Sequence, residues 1–423
     1  MLTVELTPTV SILHYIFTMR TRHYHWILVL SIAFASCKKS NDGPTAGENG
    51  NNGGNTGGTG GNPVTESIYL TNAKATRAFI KAGYATPFGS YRVNTTDNTN
   101  SAFEWYVASQ LYADAAMVAN GDASYQEPMN STFAWLSKLE DKADPNGGYF
   151  AYANLDGSGA GGVKYVDDNA LTGMAYLDAY NVTSGTVKTN YLSAAESCAR
   201  WLMKSGQWDN TYSGGFWWTT EKTVKPTQSN ALAMQLFARL YKLTGNTQYK
   251  DWAVLVDNWL NTQMYDSTSG LYIWQVEKNG VKNGVKFTYD NAIMVEAQLL
   301  FADAMNDNTY KTKAQALGNA MIRGLWDKTY NVFIFNTNDI RVNGCYSGWA
   351  TQAMIKLYEV DNNDNWLIYA KANVDAINVI LKNTALNGYY QYAGLNGAGR
   401  YANLEGVDQA WMQRVQVMLS KYR

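Results

Sequence analysis

Histidine is scarce in this chain, and its placement limits the available chemistry. The three histidines, His14, His23 and His25, all lie near the amino terminus. Cysteine is equally sparse, at Cys37, Cys198 and Cys345, and proline occurs only 7 times in 423 residues. Charged residues make up 16% of the chain and nearly cancel, leaving a net charge of -1. Without a basic excess, nucleic acid and anionic membrane surfaces are poor partners. Cys198 and Cys345 are too few for a disulfide framework or a thiolate zinc site, and the apolar setting of Cys198 predicts a buried thiol. The run from Trp26 to Ala35 is too short to be retained as a membrane-spanning helix. What is abundant is aromatic: 14 Trp and 30 Tyr. That supply suits a large helical core or a sugar-stacking cleft, and composition does not separate the two.

The scarce histidines fall inside a targeting segment. From Met19 the sequence reads MRTRHYHWILVLSIAFASCKKS. Arg20 and Arg22 form a positive head, the apolar run follows, and Phe34-Ala35-Ser36-Cys37 has the form of a bacterial lipobox. The expectation is a signal peptide over residues 1–36 with its true start at Met19, and a lipidated Cys37. The protein would then be an outer-membrane lipoprotein on the cell surface or the periplasmic face; a plain secretory signal is the alternative. Residues 37–64 continue as a Gly/Asn-rich tether with nothing to bury, reaching about 25–30 Å as a coil. Removing residues 1–36 removes every histidine, so Ser-His-Asp, Cys-His and His-ligated zinc chemistry go together. Acid-base work is left to Asp, Glu, Tyr or Lys.

Residues 65–423 repeat. DDNALTGMAYLDAY, QSNALAMQLFARLY and YDNAIMVEAQLLFA align without gaps on Asn169, Asn230 and Asn291, each interval being 61 residues. After each comes a polar turn and a second helix opening on an aromatic with Ala four residues on: Tyr191/Ala195, Tyr249/Ala253 and Tyr310/Ala314, then Trp366/Ala370. The period predicts a helical hairpin of about sixty residues, and the length allows six. Helices are expected to start near Ser67, Asp122, Asn190, Asn246, Asn308 and Asp364. Their partners would start near Ala102, Asp167, Gln228, Thr288, Ser347 and Glu405. A closed ring of six hairpins is an all-α (α/α)6 toroid; an open solenoid is the alternative. In a closed ring the heads of the inner helices gather at one rim.

Asp167 and Asp168 sit at one such head. Two readings compete: a doubled helix cap, or the carboxyl pair that glycoside hydrolysis needs, one protonated and one ionised. Adjacency suits the second, because one charge raises the pKa of its neighbour while a helix head favours an anion; taken alone the pair reads more readily as a cap, and the neighbouring motifs change that balance. In YSGGFWW, Gly214 and Gly215 precede Trp217 and Trp218, which point apart, so that one could floor a subsite while the other packs. Lys225 and Asn230 arrive at the next inner head, and Tyr289, Asp290 and Asn291 at the one after. DGSGAGG, from Asp156 to Gly162, lacks the strand and helix of a phosphate loop and reads as a loop entering the Asp167 helix. DNNDN, from Asp361 to Asn365, lacks the glycine and glutamate of a calcium loop and reads as a hairpin turn.

YVDDNALTGMAYLDAY, YLSAAESCARWL, GGFWW, KPTQSNALAMQLFARLYKLTGN and FTYDNA together resemble glycoside hydrolase family 76, most densely from Tyr165 to Phe301. The resemblance implies an endo-acting α-1,6-mannanase on an (α/α)6 fold. It implies Asp167 as nucleophile and Asp168 as general acid/base of a retaining double displacement. Asn169, Gly214, Gly215, Trp217, Trp218, Lys225, Asn230, Tyr289, Asp290 and Asn291 would surround an α-mannan chain, with no metal or organic cofactor. A monomer is expected, touching membrane only through its lipid. The sequence departs from the family at Leu171, where Trp is usual, at Ser213 in the glycine triplet, and at Tyr289-Asp290-Asn291-Ala292. These departures bear on linkage and chain-length preference. A non-catalytic glycan-binding lipoprotein and a hydrolase of another neutral α-glycan are alternatives. An epimerase would want histidines, and a polyuronate lyase more cations than Lys225.

Overall fold

A computed structural model of the chain describes residues 66–422. The expected signal, Cys37 and the tether lie outside them. The described residues carry twelve α-helices joined by short antiparallel strand pairs. In order these are α1 Ile68–Gly83, α2 Glu104–Ala119, α3 Gln126–Leu136, α4 Val166–Asn181, α5 Gly185–Lys204 and α6 Thr227–Thr244. Then come α7 Thr247–Trp259, α8 Thr288–Met305, α9 Thr309–Leu325, α10 Gly344–Asp361, α11 Asp364–Ile380 and α12 Gly406–Leu419. Most starts fall within three residues of those expected. α5 begins at Gly185 rather than near Asn190, because Thr-Val-Lys-Thr carries no apolar period yet nothing in it breaks a helix.

Even-numbered helices form the inner wall, each packed on the next, with α12 returning to α2 to close the ring. They are buried on nearly every face; α8 is buried almost continuously from Thr288 to Ala302. The outer helices bury one stripe. In α9 it is Ala314, Leu317, Gly318, Met321 and Leu325 at helical spacing. Each large apolar side chain so buried contributes roughly 1.5–3 kcal/mol before entropy is counted. α3, α5, α7, α9 and α11 each pack on the inner helix before them, whereas α1 packs on α12. The sequence order suggested α1 with α2. Instead α1 covers the wall helix that has no outer helix after it. The architecture is an (α/α)6 toroid.

Inner and outer helices are joined at the tail end by tight turns in left-handed conformation at Gly245, Asn306 and Asn362, so DNNDN is the turn it was read as. At the head end the links are longer and interlock. The first N–H of each inner helix bonds a carbonyl from the link before the next inner helix. Glu104 bonds Ala151, Val166 bonds Trp218, Thr227 bonds Trp274, Thr288 bonds Phe335, Gly344 bonds Gln391, and Gly406 bonds Val93. Orphan donors that a helix head would present to water are thus used to fasten the ring.

Candidate active site

These first residues set a common register for the six heads. Third positions are Tyr106, Asp168, Ser229, Asp290, Tyr346 and Asp408, so aspartates alternate with hydroxyls around the rim. The fourth position, turned a further 100° on the helix, faces the wall. Asn169 there accepts from the Tyr149 N–H at 2.7 Å and donates to the Tyr149 and Tyr165 carbonyls. Asn230 grips Phe216 and Pro226 in the same way, and Asn291 grips Tyr272 and Phe287. Gln409 does so on Tyr389 and Glu405. All four side chains are fully buried. The expectation that Asn169, Asn230 and Asn291 contact substrate is therefore corrected: their amides are spent on backbone, and their phase is that of a structural clamp.

Asp167 and Asp168 are half-buried at the second and third positions of α4. The helix cap is Tyr165, in extended conformation. Trp218 supplies the partner to Asp167: its indole Nε1 donates to both carboxylate oxygens at 2.9 Å. Trp218 is itself fixed by its carbonyl on Val166, its N–H on Val224, and an edge contact with Tyr165 at 5.0 Å. Burial pushes the Asp168 carboxyl well above the usual range, and the neighbouring Asp167 charge adds to the push. The head of α4 is the positive end of its helix dipole, which favours negative charge there. The pair thus stands in two protonation environments one residue apart.

The rest of the YSGGFWW segment is scaffold. Trp217 is buried and donates from Nε1 to Asp209 at 2.6 Å. Lys225 is fully buried, with its ammonium on Asp209 and on the Thr211 and Gly214 carbonyls, 4.6 Å over the Trp217 ring. Burial pulls Lys225 below its ordinary value. Partial burial pushes Asp209 up, but the bonds from Lys225 and Trp217 prevail and hold it at about 2. Gly214 and Gly215 have φ of 116° and 89°, and a Cβ on Gly215 would lie 2.4 Å from Trp259. Lys225, Trp217 and both glycines are thus corrected from substrate contacts to supports that hold Trp218 in place. Tyr289 stacks on Tyr346 at 4.5 Å, and Asp290 is fully buried at the same register as Asp168. Leu171, where the family pattern has Trp, is a core residue.

Three carboxyls of the rim went unread. Glu104 heads α2, is fully buried, and accepts from Thr172 Oγ1 at 2.9 Å. Burial pushes it well above its usual value, with the Asp168 charge next in weight. Asp408 accepts the Cys345 N–H at 2.6 Å and is likewise pushed well up by burial. Glu405, bonded by Tyr106 and Asn94, is raised by burial to about 7. The signal was present, since Glu104 lies 62 residues before Val166 and Asp408 lies 118 after Asp290, near one and two periods.

Known proteins share this chain's features. The model of the family described as glycosyl hydrolase family 76 matches residues 67–348. A mannan endo-1,6-alpha-mannosidase of Saccharomyces cerevisiae is 23% identical over 173 residues, 36% of this chain and 37% of the relative, so the match spans little over a third of it. Among solved structures, a GH76 alpha-mannanase of Bacteroides thetaiotaomicron aligns with a TM-score of 0.74 at 18% identity, covering 84% of this chain and 96% of its own. An inactive variant of the alpha-1,6-mannanase of Salegentibacter sp. HEL1_6, with two consecutive aspartates changed to asparagine and alpha-1,6-mannotriose bound, aligns at 0.67 and 18% identity, covering 84% and 98%. The fold is common to all these structures, and the family match takes in the whole arc from α1 to the head of α10. The chain belongs to glycosyl hydrolase family 76, a family of glycoside hydrolases.

Proposed function

We propose that the chain cleaves α-1,6-linked mannan internally, with retention, using Asp167 as nucleophile and Asp168 as general acid/base. The observation that carries this reading is the split environment of the pair. Asp167 receives two indole contacts at a helix head, which favour its carboxylate. Asp168 is driven toward its protonated form by burial and by its neighbour. In the first step the Asp168 proton passes to the glycosidic oxygen as the C1–O bond breaks and Asp167 bonds C1. In the second, Asp168 takes a proton from water, whose oxygen displaces Asp167. Supporting the pairing, the Salegentibacter variant without its two consecutive aspartates is described as inactive with mannotriose bound. Retention and internal cleavage follow from the family resemblance.

The test is incubation of the domain from Pro63 onward with debranched α-1,6-mannan, with products sized and the anomer followed by NMR. The expected result is a ladder of oligosaccharides released first as the α-anomer, and no ladder with Asp167→Asn or Asp168→Asn. Binding without cleavage would overturn the enzymatic reading in favour of a glycan-binding lipoprotein. Cleavage of another neutral α-glycan in its place would overturn the linkage. Export and lipidation at Cys37 belong to the same proposal, supported by the basic head, apolar run and lipobox. Full-length protein should incorporate labelled palmitate in a bacterial host, and Cys37→Ser should not.

A further inference from the structure

Asp168 has a neighbour that the two-carboxylate scheme leaves unused. Glu104 is the first residue of α2, which packs directly on α4. One of its oxygens accepts from Thr172, which lies one turn beyond Asp168 on the same face of α4. The other, Oε2, is buried and has no hydrogen-bond partner. An ionised carboxylate with an open oxygen in that position would be costly, whereas a protonated one is neutral and holds a donor for the next acceptor that appears.

The charges around it are mixed in sign. From α4 and the link before it come Asp168, Asp167 and Lys164, Asp168 being the strongest. Tyr149, Tyr176 and Cys198 face it from the wall, all shifted upward by burial and so neutral. From the cap and first turn of α12, Glu405 and Asp408 act on Tyr106, two residues along. Lys164 is the one cation in the set, and it is taken by Asp141 and Asp144.

We propose that Glu104 is a positioning residue for Asp168, keeping a proton on Oε2 and donating it as a hydrogen bond to Asp168 whenever Asp168 has given its own proton away. The inference rests on Asp168 being the general acid/base. The Glu104 proton stays on Glu104 throughout, while Asp168 loses its own to the glycosidic oxygen and regains one from water. Glu104 stabilises the Asp168 carboxylate between those events, when the half-buried group would otherwise have no donor from α2.

The experiment is kcat/KM against pH on α-1,6-mannan for wild type, Glu104→Gln and Glu104→Leu. Gln keeps an acceptor for Thr172 and a donor for Asp168, so activity should stay within about threefold and the alkaline limb should not move. Leu removes the donor. The Asp168 carboxylate is then less stable, the alkaline limb moves to higher pH, and kcat falls about 10- to 100-fold. A limb that moves to lower pH would mean Glu104 is ionised and repels Asp168, and a limb that stays put would mean no coupling; either overturns the proposal. Should the Leu variant not fold, the carboxyl carbon of Glu104 decides, identified by its absence in Glu104→Gln spectra of ¹³C-Glu protein. A protonated signal at pH 7 supports the proposal and an ionised one overturns it. If wild type cuts no mannan, the functional reading fails by itself; the carboxyl signal still reports on Glu104.

Discussion

Asp168 and Asp178 stand ten residues apart on α4, both drawn out of water, yet they are shifted in opposite directions. At the head, burial acts on Asp168, the Asp167 charge adds to it, and the group rises. At the tail, burial pushes Asp178 up as well, but the charges of Arg239 and Arg414 overcome it and hold the carboxylate below its usual value. Arg414 lies 3.2 Å over the Tyr112 ring, bonds Gln352 and the Tyr112 carbonyl, and joins Asp178, which Arg239 also holds at 2.9 Å. Gln352 donates to Glu296. Tyr112, Asp178, Arg239, Glu296, Gln352 and Arg414 come one from each inner helix, so a charge-compensated polar network links all six. The same wall carries uncompensated carboxyls at its open end. One end of the barrel is built to hold charge and the other to keep charge unsettled.

The sharpest way to break this contrast is to neutralise each aspartate in turn. Asp168→Asn should lower kcat on α-1,6-mannan by about 10³-fold or more and leave the melting temperature unchanged or higher. Asp178→Asn should do the reverse, stranding Arg239 and Arg414 at a cost of about 3 kcal/mol, while activity per folded molecule stays within a few-fold. Equal losses of both properties in both variants would erase the distinction. Next in size is Trp218→Phe, which keeps the ring and removes the donor to Asp167. A kcat loss of about tenfold or more with unchanged unfolding would place the indole on the chemical side of the comparison.

Two smaller effects test the scaffold. Asn230→Ala should cost about 1–3 kcal/mol in denaturant unfolding, because the Phe216 and Pro226 backbone groups lose their partner, while KM for mannan stays near wild type. A large rise in KM at unchanged stability would restore Asn230 as a substrate contact. The last concerns pH. Raised carboxyls such as Glu405, at about 7, favour the folded state when protonated, so their benefit fades as pH rises through the folded value. Lowered ones such as Asp178 contribute above the ordinary carboxylate range and lose that contribution as pH falls through it. Thermal stability should therefore peak on the acid side of neutrality and decline toward pH 8. Glu405→Gln should flatten the decline by a few degrees, seen by calorimetry in matched buffers.

The ring was legible because its period is carried by residues that cannot vary without cost. Asn169, Asn230 and Asn291 mark the beat so clearly because each clamps a backbone segment in the same slot. That success caused the main misreading, since phase along a helix does not say which way a side chain turns. Third and fourth positions share one rim address in sequence, yet the fourth-position amides are spent on backbone. Asp167 and Asp168 stood out as an adjacent pair at an expected head. Glu104, Glu405 and Asp408 escaped because their heads lack the Asn-Ala mark: Val107 and Gln409 fill the clamp slot there. Lys225 reads in sequence as a substrate contact, and only its four oxygen contacts reveal it as a pin for the YSGGFWW turn.

The head-to-link bonds run in one direction around the ring, so every link that borders the cleft is also the fastener of the preceding helix. Among the described residues, heat cannot free one of these links without breaking a helix-head bond. The Trp218 segment is tied to α4 by its carbonyl and to α6 by Asn230, and freeing it would uncap one inner helix and unclamp another. On warming, catalytic loss and the collapse of helical signal should coincide as a single cooperative event. The cleft is then as durable as the barrel and no more so.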